Sequence, residues 1–145
     1  MRLPPNPKAV SPLDRREELR KARVAAPKLR EACPNVALVR VELAFQTDAQ
    51  PAHAPQAFSI YPPAKAHFVY ACPFGSCDGS YDLNEITFSA LQAGKRNMRG
   101  TLTCAGHRLR HGKAASPCEL TATYLITVRH ENPKASVSAQ AAVQP

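Results

Sequence analysis

Cysteines are the residues of this chain best suited to chemistry. Four of the five, Cys72, Cys77, Cys104 and Cys118, fall in its central and later part, while Cys33 stands apart. A thiolate is a soft ligand, and four thiolates in a tetrahedron at about 2.3 Å form a closed structural zinc site. Cys72 and Cys77 enclose the turn Pro73-Phe74-Gly75-Ser76, a CxxxxC spacing wider than CxxC. Cys104 and Cys118 enclose the thirteen residues Ala105 to Pro117, expected to form a long basic loop and too long to be a metal knuckle by itself. Grouped thiols in a reducing compartment point to a metal site before a disulfide framework.

Other chemistries use the same residues. Free cysteine packs well as a small hydrophobe, so buried thiols without a metal are one reading. Iron–sulfur ligation takes the same four thiolates. His107 follows Cys104 as Cys-x-x-His. If it replaced one thiolate, an open three-ligand site would activate water for hydrolysis, although no carboxylate lies close in sequence to serve as the base. Gly75-Ser76-Cys77-Asp78-Gly79 fits the cysteine version of a nucleophile elbow. That elbow needs a large parallel sheet with an acid and a histidine in order, which a chain of 145 residues is too short to supply.

Charge adds a second signal. The chain carries 19 Lys and Arg against 11 Asp and Glu, a net +8 that favours anionic partners. From Ile86 to Cys118 there are six cations, Lys95, Arg96, Arg99, Arg108, Arg110 and Lys113, and no acid. These six are the expected nucleic-acid-binding residues. His107 and His111 share that stretch and are expected to face solvent. Phe68, Tyr70 and Tyr124 are expected to pack in the core rather than stack on bases.

Positioning elements follow from periodicity and punctuation. Ser11-Pro12 opens a helix, Ser as N-cap and Pro at the first helical position, and a second short helix starts near Pro27. Val39, Val41, Leu43 and Phe45 alternate with polar or small neighbours as in a half-buried strand. The Pro- and Ala-rich stretch TDAQPAHAPQA predicts a long loop, followed by a short edge strand over 58–61. HFVYAC predicts a strand entering Cys72, and RGTLTC one entering Cys104. Asp82 to Glu85 has capping-box spacing for a helix that Gly94 ends. ELTATYLITVRH, after Cys118, is the clearest strand. If the strands ending at Cys72 and Cys104 are sheet neighbours, all four thiols converge at one edge.

The cysteine turns resemble the zinc-ribbon class over about residues 70–120. Cys72-Pro73 and Cys77-Asp78-Gly79 look like its Cys-Pro and Cys-x-Gly turns, where glycine lets backbone amides face sulfur. The resemblance implies one zinc gripped beside a small antiparallel sheet, in a class that often serves nucleic-acid assemblies. Cys77-Asp78-Gly79-Ser80 is also similar to the start of the CDGSH iron–sulfur motif, but Tyr81 stands at that family's histidine position and its upstream Cys-x-Cys is missing.

The expected fold is α+β: a small, mainly antiparallel sheet with one packed helix and a four-cysteine zinc site at one sheet edge. Residues 1–26 are expected to be a basic tail with an exposed helix, 27–130 a single zinc-stabilised domain, and 131–145 a disordered tail. The expected function is a non-enzymatic zinc module contacting nucleic acid or an anionic assembly. The alternatives are a protein-interaction or accessory module docked through the N-terminal helix, and a zinc-dependent hydrolase. No apolar run approaches the roughly 18 residues of a membrane span, and the start lacks a signal-peptide pattern, so a soluble, cytoplasmic protein is expected.

Overall fold

A computed structural model describes residues 11–47, 50–110 and 113–131. Of the expected terminal segments, residues 1–10 and 132–145 lie outside the described residues. Helix α1 (Pro12–Ala25) begins as its sequence dictates, with the Ser11 hydroxyl accepting from Asp14 N–H at 3.0 Å. It buries none of its residues. The four-residue helix α2 (Leu29–Ala32) follows and sets Leu29 fully in the core.

A four-stranded antiparallel sheet dominates the fold. Its strands are β1 (Val36–Thr47), β2 (Gln50–Ile60), β5 (Asn97–Thr103) and β8 (Thr121–His130), ordered β2-β1-β8-β5. Alternation places Val39, Val41, Leu43 and Phe45 of β1 on the same face as Ala122, Ile126 and Val128 of β8, and all seven are buried. The opposite face carries Arg40, Ala44, Thr123 and Thr127, all exposed. One face packed and one solvated is the ordinary condition of an antiparallel sheet. No helix among the described residues is long and apolar enough to cross a membrane.

Two short ribbons flank the sheet. β3 (Val69–Ala71) pairs with β4 (Ser80–Asp82), and β6 (His107–Arg110) pairs with β7 (Lys113–Pro117). Helix α3 (Asn84–Gln92) buries Thr87, Ala90 and Leu91 and sets Phe88 edge-on to Phe68 at 5.6 Å. Gly94, at φ +71°, ends it as expected.

Three expectations are corrected. Residues 50–57 are not a loop but the first part of β2, paired with β1 through irregular registers around Phe45. Pro51 and Pro55 are tolerated because β2 is an edge strand, where a missing N–H need not break a ladder. The basic stretch after Cys104 is likewise a hairpin, β6–β7, rather than a long loop. Asp82 is not the N-cap of a capping box: its carboxylate accepts from Asn84 N–H at 2.9 Å, and the helix starts one residue late with Leu83 in the cap position.

Candidate metal centre

Cys72 follows β3, Cys77 precedes β4, Cys104 follows β5 and Cys118 precedes β8. β5 and β8 are sheet neighbours, so Cys104 and Cys118 meet at the end of that pair. Cys72 and Cys77 arrive differently from the expected route, carried by the separate β3–β4 ribbon. All four thiols are buried, and their sulfurs lie within 4.8 Å of one another. The Cys72–Cys118 sulfurs are 3.7 Å apart and the Cys77–Cys104 sulfurs 3.6 Å. Four sulfurs at about 2.3 Å from one ion stand roughly 3.8 Å apart along the tetrahedron's edges, so the cluster fits a tetrahedral metal.

The backbone repeats itself around the two inner cysteines. Gly79 N–H points at Cys77 Sγ at 3.2 Å, and Gly106 N–H at Cys104 Sγ at 3.4 Å. Cys72 N–H donates to Gly79 C=O, and Cys118 N–H donates to Gly106 C=O, at 3.1 and 2.9 Å. Each outer cysteine is thus tied to the glycine two residues beyond an inner one. The chain forms two similar half-sites, Cys72/Cys77-Asp78-Gly79 and Cys118/Cys104-Ala105-Gly106. Their glycines meet back to back: a Cβ on Gly106 would lie 2.4 Å from Gly79 Cα, and one on Gly79 would lie 2.3 Å from Cys104 Sγ. Only glycine fits at either position.

Asp78 locks the halves together. Its buried carboxylate accepts from His107 N–H at 2.7 Å, and its own N–H donates to His107 C=O at 3.2 Å. Tyr81, in β4, anchors the ribbon to the sheet by donating to Leu120 C=O at 2.8 Å and packing 5.8 Å from Phe45. Asp78, Gly106 and the anchoring role of Tyr81 were not anticipated. Gly106 had a readable signal, since Cys104-Ala105-Gly106 repeats the Cys-x-Gly spacing of the first turn. The other two had none, because their partners lie 29 and 39 residues away.

Electrostatics also favour a cation. A hydrogen bond to Cys104 holds the Cys72 thiol far above its ordinary range, with burial adding to the shift. Burial pushes Cys77 up to about 12. The thiol of Cys72 and the amide of Gly106, both donating to it, bring Cys104 down to about 5. Like charges in a small dry site oppose joint ionisation. A dication among these sulfurs would supply the charge that offsets the upward shifts of Cys72 and Cys77.

Among the other singled-out residues, Cys33 is half-buried against the core, away from the cluster. His107 is exposed and enters the centre through its backbone. Lys95, Arg96 and Arg99 are exposed around the start of β5, with the rest of that strand, about 13 Å or more, between them and Cys104. Arg108 is half-buried, its guanidinium 4.1 Å above the Phe74 ring, with Nε buried and unpartnered. The side chains of Arg110 and Lys113 lie outside the described residues, as does His111. Phe68 and Tyr70 are buried and Tyr124 is half-buried, packed against the core as expected. No protein family, no curated protein and no solved structure matches this chain.

Proposed function

We propose that the protein is a non-enzymatic zinc module whose single ion is structural and whose basic exterior contacts nucleic acid. The observation that carries the zinc reading is the mutual approach of four buried thiols inside two matched glycine turns. Four sulfurs complete a tetrahedron and leave no position for a water, which disfavours the hydrolase alternative. Amide donors to sulfur are common to zinc and iron–sulfur sites, so elemental analysis separates the two. One zinc per chain, lost in Cys72→Ser and kept in Cys33→Ser, supports the reading; iron with visible charge-transfer absorption overturns it.

Nucleic-acid contact rests on the net charge of +8 and on the exposed Lys95, Arg96 and Arg99. Arg110 and Lys113 are included in the proposal for their charge alone. Arg108 is occupied at Phe74 and belongs to the metal lobe. Retention on generic nucleic acid should fall steeply with salt, because each neutralised phosphate releases a counterion. Replacing Lys95, Arg96 and Arg99 with Ala should lower the salt slope by roughly one unit per lost contact. No retention at low salt would favour the second reading, a protein-interaction module. That reading draws on Leu13 and Val24, exposed to 77% and 60% on the outer side of α1.

A further inference from the structure

Away from the exposed cations of β5, α1 and the strands β2 and β3 enclose an open groove of about 420 Å³. Arg16, Arg20 and Arg23 line it together with Leu19, Gln56, Phe58 and Tyr70; among the described residues no carboxylate lines it, though Glu17 holds Arg20 from beside it. The arginines recur at spacings of four and three, so one face of α1 presents all three. Each guanidinium carries five N–H donors. The bonds described use at most two of them on any one residue: Arg16 to the carbonyls of Phe74 and Gly75, Arg20 to Glu17, Arg23 to that of Val69. Donors therefore remain for a ligand.

The rest of the groove has a different character. Phe58 stacks on Tyr70 with ring centroids 4.2 Å apart, and Leu19 is half-buried opposite. The Tyr70 hydroxyl is buried with no hydrogen-bond partner among the described residues. An orphaned hydroxyl behind a cationic groove costs stability until a polar atom or a water meets it. A volume of this size falls within the range of small-ligand sites. Guanidinium forks match phosphate oxygens, and the Phe58 and Leu19 side offers an apolar wall with one amide, Gln56, for orientation.

We propose that this groove binds a phosphomonoester with a compact organic body, of about the size of a mononucleotide. The phosphate lies along the arginine face of α1, and the organic part rests against Phe58 and Leu19. This site goes beyond the nucleic-acid reading above: it uses other cations on another part of the molecule. Two sources share the chemistry, a free nucleotide and the 5′-phosphorylated end of a strand.

Calorimetric titration of the purified full chain with adenosine monophosphate tests it, with adenosine, inorganic phosphate and a short oligonucleotide bearing or lacking a 5′-phosphate as companions. Saturable binding of the monophosphate is expected, with adenosine weaker by roughly tenfold or more, since hydrogen bonds to a charged group are lost. Arg20→Ala should weaken the monophosphate by a similar factor without harming the fold, because its described ion pair with Glu17 is solvent-exposed. Tyr70→Phe should raise the melting temperature of the free protein and reduce the further rise that the monophosphate gives. A preference for the phosphorylated strand assigns the site to strand ends, and equal binding assigns it to free nucleotides. Equal binding of adenosine and its monophosphate, or an Arg20→Ala protein that binds as wild type, overturns the proposal. Neither result touches zinc content or the Lys95, Arg96 and Arg99 test, so the two readings fail separately.

Discussion

The sheet and the cysteine lobe are built on opposite economies of contact. In the sheet, strands of 7 to 12 residues form long ladders over a face of Val, Leu, Ile and Phe. Such an assembly is held by apolar burial, at about 25 cal/mol per Å². In the lobe, β3 and β4 have three residues each and β6 and β7 four and five. A two-stranded ribbon of that size is marginal in water. Beyond the few residues that β3 and β4 bury, Val69, Tyr70 and Tyr81, the lobe has four thiols, a buried aspartate and two abutting glycines. One region forms by burying its residues; on the proposed reading the other also draws on a bound ion.

The sharpest way to break the comparison is to remove the proposed ion. Structural zinc contributes roughly 10–16 kcal/mol of apparent binding energy elsewhere. Chelation, or Cys104→Ser, should therefore abolish amide protection in residues 72–82 and 104–118, with the greatest surviving protection in β1 and β8. Hydrogen exchange by segment reads this directly. Uniform loss would show that the sheet, too, depends on the metal.

A smaller, reciprocal effect comes from the core. Ile126 is fully buried in β8 opposite Val41 and Met98. Ile126→Ala should cost about 2–5 kcal/mol in unfolding free energy while the proposed stoichiometry of one zinc per chain is unchanged. Parallel loss of metal from the folded protein would make the two regions a single cooperative unit.

How far the sequence announced each region follows the same division. β1 and β8 were legible because one buried face imposes alternation on Val39 to Phe45 and on Leu120 to Val128. α3 was partly legible: its end at Gly94 could be read, while its buried face includes Thr87, which carried no apolar signal. β2 was masked by prolines that only an edge strand accepts. The cysteine types and their grouping revealed the candidate centre, but not the way it is assembled. Too few residues lie in β4 or in β6–β7 to show a period, and their geometry comes from distant bonds such as Tyr81 to Leu120.

Glycine substitutions sharpen the contrast further. Gly106→Ala places a methyl group against the Gly79 backbone, whereas Gly75→Ala meets nothing within 4 Å although it lies in the same cysteine turn. Overpacking of this kind costs about 1–3 kcal/mol or more, and here it should appear as weaker zinc retention in competition with a chromophoric chelator. Gly75→Ala should titrate as wild type. If both behave alike, the back-to-back glycines do not set the geometry of the centre.

The smallest expected effect tests the border between the regions. His67 precedes Phe68 and β3, is buried, and has Nδ1 without a hydrogen-bond partner. Burial lowers its pKa from 6.5, Arg23 lowers it further, and Asp82 opposes the shift. In the unfolded chain the imidazole takes up its proton as pH falls through 6.5, while the folded protein resists that uptake. The unfolded state then binds more protons, so the stability contribution is fully present above 6.5 and is lost as pH falls below it. Urea unfolding at pH 7.5 and 6.0 should show wild-type stability falling and His67→Asn falling less, with zinc content checked in the same samples. Equal slopes for the two proteins would mean that His67 titrates no differently in the fold, and that the entry to β3 is wetter than its burial indicates.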